Sequence, residues 1–321
     1  MKLGYFPGCS LHGTSREFDE SVRAVSGPLG IELAELDDWS CCGATSGHAT
    51  NHLLGVALAA RNLALAEEQG HSEVLAPCAA CFNRLASARH EIAGDAELAG
   101  RVGKVLARPF SNKVAVRNVV DVLRASAGTI KERVTTPLKD LKVACYYGCL
   151  LVRPAEVVGF DDPEDPRSME EVVSACGATP VAWNRRLDCC GGAFSLSRTA
   201  SVVRLGRAIL DDARKAGADA LVVACPMCQS NLDFRQKAMN RDRADADPAA
   251  VAGRDSVGRD SQSRPASPPS PMPILFLTQV VGLALGLDAK TLGLQRHFVS
   301  TTDFVGRAQA TVEAPVAAGG V

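Results

Sequence analysis

The sequence is short of the features that announce most functions. Its 321 residues carry 35 Lys and Arg against 36 Asp and Glu, a net charge of −1, so there is no basic footprint for a nucleic acid. The longest apolar stretch, Ile274 to Leu287, is interrupted by Gln279 and falls well short of the roughly 20 residues that cross a bilayer. Met1-Lys2-Leu3-Gly4-Tyr5-Phe6-Pro7 is broken too early to be a secretory signal. No Gly-x-Gly-x-x-Gly follows a strand, which argues against a flavin or dinucleotide site. The compact Cys-x2-Cys-x2-Cys run of an ordinary cubane cluster is missing too. These absences point to a soluble, cytoplasmic protein of a reducing compartment, with no membrane span and no nucleic-acid partner. At 46% hydrophobic residues the chain can bury two ordinary cores without disulfides.

Cysteine is what the chain has in quantity. Ten of its 12 cysteines fall into one pattern that occurs twice: Cys9, then Cys41-Cys42, then Cys78 and Cys81; and Cys149, then Cys189-Cys190, then Cys225 and Cys228. The intervening stretches are 31 and 35 residues in the first copy and 39 and 34 in the second. Glycine follows each adjacent pair, at Gly43 and Gly191. In a reducing compartment such an array reads as metal-binding or catalytic. Cys145 and Cys176 stand outside the repeat, inside a strand run and at a helix end, and are read as small buried residues.

The same order of elements surrounds both sets. Strands are expected at Lys2 to Phe6 and Leu141 to Tyr147, then helices at Ser15 to Leu29 and Met169 to Cys176, then strands at Ile31 to Leu36 and Thr179 to Trp183. Long amphipathic helices follow at about Asn51 to Gln69 and Ser201 to Ala216, and third strands at Glu73 to Ala76 and Ala220 to Ala224. Val114 to Arg124 and Ile274 to Leu285 each read as an apolar run entering a helix. Alternation at this spacing predicts an α/β fold of two pseudo-symmetric halves, each a small parallel sheet with flanking helices. Every cysteine cluster then falls at the C-terminal ends of strands, where open parallel sheets hold ligands and helix starts favour an anionic group. The expected division is 1–127 for the first half, 128–138 for a linker and 139–307 for the second half. A disordered Ser/Pro-rich insertion is expected at 240–273 and a flexible tail at 308–321.

Structural zinc would use the two Cys-x-x-Cys pairs as four ligands, but it leaves six cysteines idle, and adjacent thiolates diverge from a single tetrahedral ion. A thioredoxin-type dithiol ignores the repeat, and Ala79-Ala80 is not the turn such a motif carries. Five thiolates per copy suit a polynuclear iron–sulfur group.

The repeated arrangement resembles the CCG-domain family, and within it the B-type subunits of heterodisulfide reductases. The matching stretches include Gly4-Tyr5-Phe6-Pro7-Gly8-Cys9-Ser10-Leu11-His12-Gly13, Tyr146-Tyr147-Gly148-Cys149-Leu150-Leu151-Val152-Arg153-Pro154 and Gly159-Phe160-Asp161-Asp162-Pro163-Glu164. Cys189-Cys190-Gly191-Gly192, Val223 to Asp233 and Leu292-Gly293-Leu294-Gln295-Arg296-His297-Phe298 also match, so nearly the whole chain is covered. The 240–273 insertion and the two extra cysteines depart from the pattern. The resemblance implies two noncubane [4Fe-4S] clusters, one on Cys9, Cys41, Cys42, Cys78 and Cys81, the other on Cys149, Cys189, Cys190, Cys225 and Cys228. It implies a disulfide-reducing oxidoreductase working on a small-molecule disulfide of the CoM-S-S-CoB type or a bacterial analogue. Electrons would come from two partners in a complex, a C-type iron–sulfur subunit fed by an A-type, flavin-containing one. The alternative is an electron-transfer subunit of a CCG-type lactate, glycolate or succinate oxidoreductase.

Four further residues are candidates for substrate binding. Arg153, just beyond Cys149, suits an acidic substrate group, with a structural ion pair as the equal reading. His12, His48 and His297 can steady an anion or donate a proton, and each fits a structural histidine as well.

Overall fold

The computed structural model describes residues 1–44, 47–244 and 269–313. Two four-stranded sheets organise them, all strands parallel. The first holds β1 (Lys2–Tyr5), β2 (Glu32–Glu35), β3 (Glu73–Leu75) and β4 (Ala115–Arg117) in the order β2-β1-β3-β4. The second holds β5 (Lys142–Tyr146), β6 (Thr179–Pro180), β7 (Ala220–Val223) and β8 (Ile274–Phe276) in the order β6-β5-β7-β8. The expected two-half α/β architecture is therefore present, with one topology repeated.

Local sequence explains the strands. Ala220-Leu221-Val222-Val223 is apolar throughout and wholly buried, as a parallel strand covered on both faces must be. Glu32-Leu33-Ala34-Glu35, at an edge, keeps its carboxylates partly in water. β6 is two residues long where Thr179 to Trp183 was expected: Pro180 has no N–H to donate, so it occupies an edge and ends the strand early. Helix Arg16–Ser26 buries Phe18, Val22 and Val25, one stripe at helical spacing.

In each sheet the order reverses between the central strands, β1 and β3 or β5 and β7. Connections leave these two strands toward opposite sides, which opens a crevice at their C-terminal ends. Cys9 follows β1 and Cys78 follows β3; Cys149 and Cys225 repeat the placement.

The halves pack through a reciprocal pair of helix contacts. Arg16–Ser26 of the first lies on Leu277–Ala284 of the second, and Val119–Ala125 of the first lies on Ser168–Ala175 of the second. At the first contact the Phe18 and Phe276 rings stack with centroids 4.0 Å apart, and the Ser21 and Thr278 hydroxyls meet at 2.7 Å. At the second, Arg124 donates twice to Glu171, at 2.7 and 2.9 Å.

Three segments differ from expectation. The 128–138 stretch begins inside a helix, Ala127–Arg133, whose Ile130 is buried, so it is anchored to the core rather than merely connecting. Helix Gln236–Ala244 enters the expected insertion, and Met272 beyond it is buried and exchanges two hydrogen bonds with Gln236, at 2.7 and 2.9 Å. The rest of that insertion, 245–268, lies outside the described residues. Helix Thr302–Glu313 runs into the expected tail with Ala308 buried, and 314–321 again lies outside the described residues. Among the described residues no helix is long and apolar enough to cross a membrane.

Candidate metal centre and its cavity

Each Cys-x-x-Cys segment opens a helix. Cys78 is the N-cap of Ala79–Gly94 with Cys81 in its first turn, and Cys225 is the N-cap of Pro226–Phe234 with Cys228 likewise. These cysteines therefore face the positive ends of two helix dipoles, where a thiolate is favoured. The adjacent pairs sit on turns that end in left-handed glycines, Gly43 at φ 76° and Gly191 at φ 80°. Those glycines turn their N–H groups back onto sulfur: Gly43 N lies 3.4 Å from Cys41 Sγ and Gly191 N 3.3 Å from Cys189 Sγ.

Sulfur meets sulfur in both sets. Cys42 and Cys81 Sγ lie 3.3 Å apart, as do Cys190 and Cys228, and Cys149 and Cys189 lie 4.0 Å apart. Cys41 interacts with Cys42, Cys78 with Cys81 and Cys225 with Cys228. One contact crosses between the halves, from Cys78 to Cys225. Cys9 is exposed and touches no other thiol among the described residues, although its charge is felt at Cys41. The thiol contacts run as a chain, and among the described residues no three Cys, His, Asp or Glu side chains are grouped to hold a metal ion.

This crowding splits the acidities. Hydrogen bonds from the Cys41 and Cys81 thiols bring Cys42 down to about 4, while Cys41 is pushed up. Cys189 falls to about 6 through the Cys149 thiol and the Gly191 and Gly192 N–H groups. Cys225 is held well below the usual thiol range by Cys228 and Cys78. Cys145 and Cys176 behave otherwise: both are fully buried away from these sets, and burial raises them, Cys176 to about 12. Neither lines the cavity described below.

The donor set fits a thiolate-ligated polynuclear group, soft sulfur being the ligand that iron–sulfur clusters take. The backbone supplies room for it. At Gly8, φ 68°, a Cβ would stand 2.9 Å from Cys81 Sγ; at Gly148, φ 67°, it would stand 3.4 Å from Cys228 Sγ. Glycine suits both positions through its left-handed backbone, and at Gly8 it also lets the loop lie this close to the Cys81 sulfur.

A cavity of about 310 Å³ opens between the halves. Cys149, Cys189, Cys190, Cys225 and Cys228 all line it, whereas none of the first-set cysteines does among the described residues. Its opposite wall comes from the first half through Ala44, His48, Ala79, Ala80 and Arg84. The small side chains between Cys78 and Cys81 thus leave space that the bulkier Pro226-Met227 pair does not.

Of the four candidate substrate residues, His48 alone lines this cavity. Arg153 lies off the cavity lining, donates to Pro163 O at 3.1 Å and pairs with Glu164 at 2.9 Å, the ion pair weighed beside substrate binding. His12 is likewise held by Glu35 at 3.1 Å and lies edge-on to Trp39. His297 sits between the Gln229 and Gln279 amides, and burial lowers it to about 4. The sequence reading missed Arg84, which lines the cavity and donates to the Asn83 amide oxygen at 3.0 Å. A signal was present: Arg84 lies three residues after Cys81, on the same helical face.

Residues 3–86 and 143–233 match the CCG cysteine-rich domain family. The chain belongs to that family. Its two CCG repeats are similar across 94% of the chain, at 34% identity, to the 8-methylmenaquinol:fumarate reductase membrane anchor subunit of Wolinella succinogenes, 98% of which is covered. They are 29% identical, over 95% of this chain and 96% of the relative, to the B subunit of the ferredoxin:CoB-CoM heterodisulfide reductase of Methanosarcina mazei. This CCG protein is thus of the kind that provides the B subunits of heterodisulfide reductases, iron–sulfur-type members of multisubunit reductases. A crystal structure of a hypothetical protein from Helicobacter pylori shares the fold, with a TM-score of 0.67 at 13% identity over 93% of this chain and 52% of that one.

Proposed function

We propose that the chain is the iron–sulfur subunit of a heterodisulfide-reductase-like complex, and that a small-molecule disulfide is reduced to two thiols between its halves. The observation that carries this reading is the cavity, walled by all five second-set cysteines and joined to the first set through Cys78 and Cys225. Held by Cys9, Cys41, Cys42, Cys78 and Cys81 and by Cys149, Cys189, Cys190, Cys225 and Cys228, two noncubane [4Fe-4S] clusters would supply one-electron transfer and iron that accepts a released thiolate.

The remaining work falls to side chains. Breaking one S–S bond and forming two S–H bonds consumes two electrons and two protons; the electrons come from partner subunits of the C and A type. Arg84 presents a guanidinium to an anionic arm of the substrate. His48, exposed at the wall, is placed to pass a proton from water. Ala44, Ala79, Ala80, Leu150 and Met227 keep the reacting region apolar, which strengthens the charge contacts made there.

The test is anaerobic purification with iron and sulfide analysis, then turnover with a reduced viologen as one-electron donor and a disulfide as acceptor. Thiol release is expected from the intact protein and is lost in Cys42→Ala and in Cys190→Ala. An iron-loaded protein that releases no thiol from any disulfide rejects the reading.

A second reading is favoured by the fumarate reductase relative at 34% identity: an electron-transfer subunit of a CCG-type lactate, glycolate or succinate oxidoreductase. It predicts rapid electron exchange with a dehydrogenase flavoprotein and no thiol release.

A further inference from the structure

A second cavity, of about 370 Å³, opens on the seam between the halves and shares no lining residue with the cysteine cavity. Arg16 and Glu17, which open helix Arg16–Ser26, wall it from the first half; Gln229, Ser230, Arg296 and Phe298 wall it from the second. The 292–298 stretch, singled out in the sequence although it holds no cysteine, thus has a place in the fold beside this cavity.

Its polar groups are unevenly satisfied. A glutamate in a first helical turn ordinarily reaches water, but the second half covers Glu17: at Gly293, φ 70°, a Cβ would stand 2.6 Å from Glu17 Cβ. Glu17 is left 6% exposed, and among the described residues its carboxylate makes no ion pair and no hydrogen bond to another residue. Burial raises its carboxyl, Glu20 and Asp233 add to the rise, and Arg296 opposes it. Arg296 is itself taken by Glu20, at 2.9 and 3.2 Å. A carboxylate removed from water without a partner is costly, and a cation seated beside it offsets that cost. Gln229, also buried, commits its amide nitrogen to Asp233 at 3.2 Å and His297 at 3.4 Å, which leaves the amide oxygen as an acceptor. Arg16 is exposed at the rim. Its Nε donates to His12 O at 3.2 Å, while its terminal nitrogens have no partner among the described residues.

We propose that this cavity binds a small amino acid as its zwitterion, with the ammonium group against Glu17 and the carboxylate at Arg16. An ammonium group offers only donors, which the Glu17 carboxylate and the Gln229 amide oxygen accept. The free edge of a guanidinium matches a carboxylate in shape and charge. A simple cation fits less well, because Arg16 and Arg296 border the cavity, and a simple anion would meet the unpaired Glu17. The inference does not rest on disulfide reduction at the cysteine cavity.

The full-length, iron-loaded protein is titrated in a calorimeter with each proteinogenic L-amino acid in turn. At least one is expected to bind with a Kd of about 1 mM or tighter. The amine that lacks its carboxyl group and the acid that lacks its amino group should each bind about tenfold more weakly or worse. Glu17→Gln and Arg16→Met should each weaken the amino acid about tenfold or more, with iron content unchanged. Glu17→Gln should also keep or raise the unfolding midpoint, since it removes an unpaired buried charge, so its lost binding is not lost folding. The proposal is overturned if no amino acid binds by about 10 mM, if the amine or the acid alone binds as tightly as the zwitterion, or if the Glu17→Gln variant binds as tightly as wild type.

Discussion

Gly8 has no space for a side chain, and that makes it a sharper probe of the candidate metal site than a candidate ligand cysteine. A Cβ there meets Cys81 Sγ at 2.9 Å on a backbone at φ 68°, so Gly8→Ala combines a clash with about 1–2 kcal/mol of left-handed strain. It should empty the first site of iron. Gly148→Ala, with 3.4 Å to Cys228, should lose less, and Cys176→Ser none; iron per chain compares the three. Two buried titratable groups give a second prediction. Burial lifts Asp233 to about 6 from 3.8 and lowers His297 to about 4 from 6.5. Between pH 4 and 6 the folded Asp233 binds a proton that the unfolded chain has lost, so its contribution to stability falls as pH rises. The unfolded chain's His297 binds a proton that the folded form refuses, so its contribution grows as pH rises through the same window. Each amounts to roughly 3 kcal/mol and the two oppose one another. His297→Gln should therefore make stability fall from pH 4 to 6 and Asp233→Asn should make it rise, as read by urea unfolding at each pH. At this scale the cysteines were legible because they repeat. The partners of Arg153 and His297 were not legible, because spacing places a residue near a motif and says nothing of the partner its side chain finds.

At the scale of elements, helix Ala79–Gly94 does two things: it starts the first Cys-x-x-Cys and it ties the halves together. Its Asn83 is fully buried and donates to Leu150 O at 3.1 Å and Arg153 O at 2.8 Å, both in the loop after Cys149. Asn83→Ala leaves two carbonyls without that donor and should cost roughly 2–3 kcal/mol, together with weaker disulfide binding because Arg84 loses the Asn83 oxygen that steadies it. Equal unfolding midpoints and an unchanged KM would contradict this. The order of strands and helices was readable from apolar runs closed by glycine. Ends set by tertiary contacts were not: nothing local in the 127–133 stretch announces that Ile130 reaches the core, and composition alone suggested an insertion beginning before the helix through Ala244 had ended.

For the whole molecule, the stacked Phe18 and Phe276 rings join the two halves. Phe276→Ala should destabilise by about 3–5 kcal/mol and loosen both cysteine sets together, so iron loss on warming should follow a single transition that moves to lower temperature. Loss of iron from the second set alone would show that the halves are energetically separate. The reciprocal helix contacts carry a longer consequence. Each half lays the helix before its second strand, Arg16–Ser26 or Ser168–Ala175, on the helix after the other's fourth strand, Leu277–Ala284 or Val119–Ala125, so a half freed from the chain would own both faces of the contact and could pair with its own copy. Such a twin would be bound to symmetry: two equal mouths and two equal duties. Joining the copies in a single gene lifts that obligation. Ala79-Ala80 and Pro226-Met227 then become independent letters, and one set of cysteines can line the cavity while its sister stands off it.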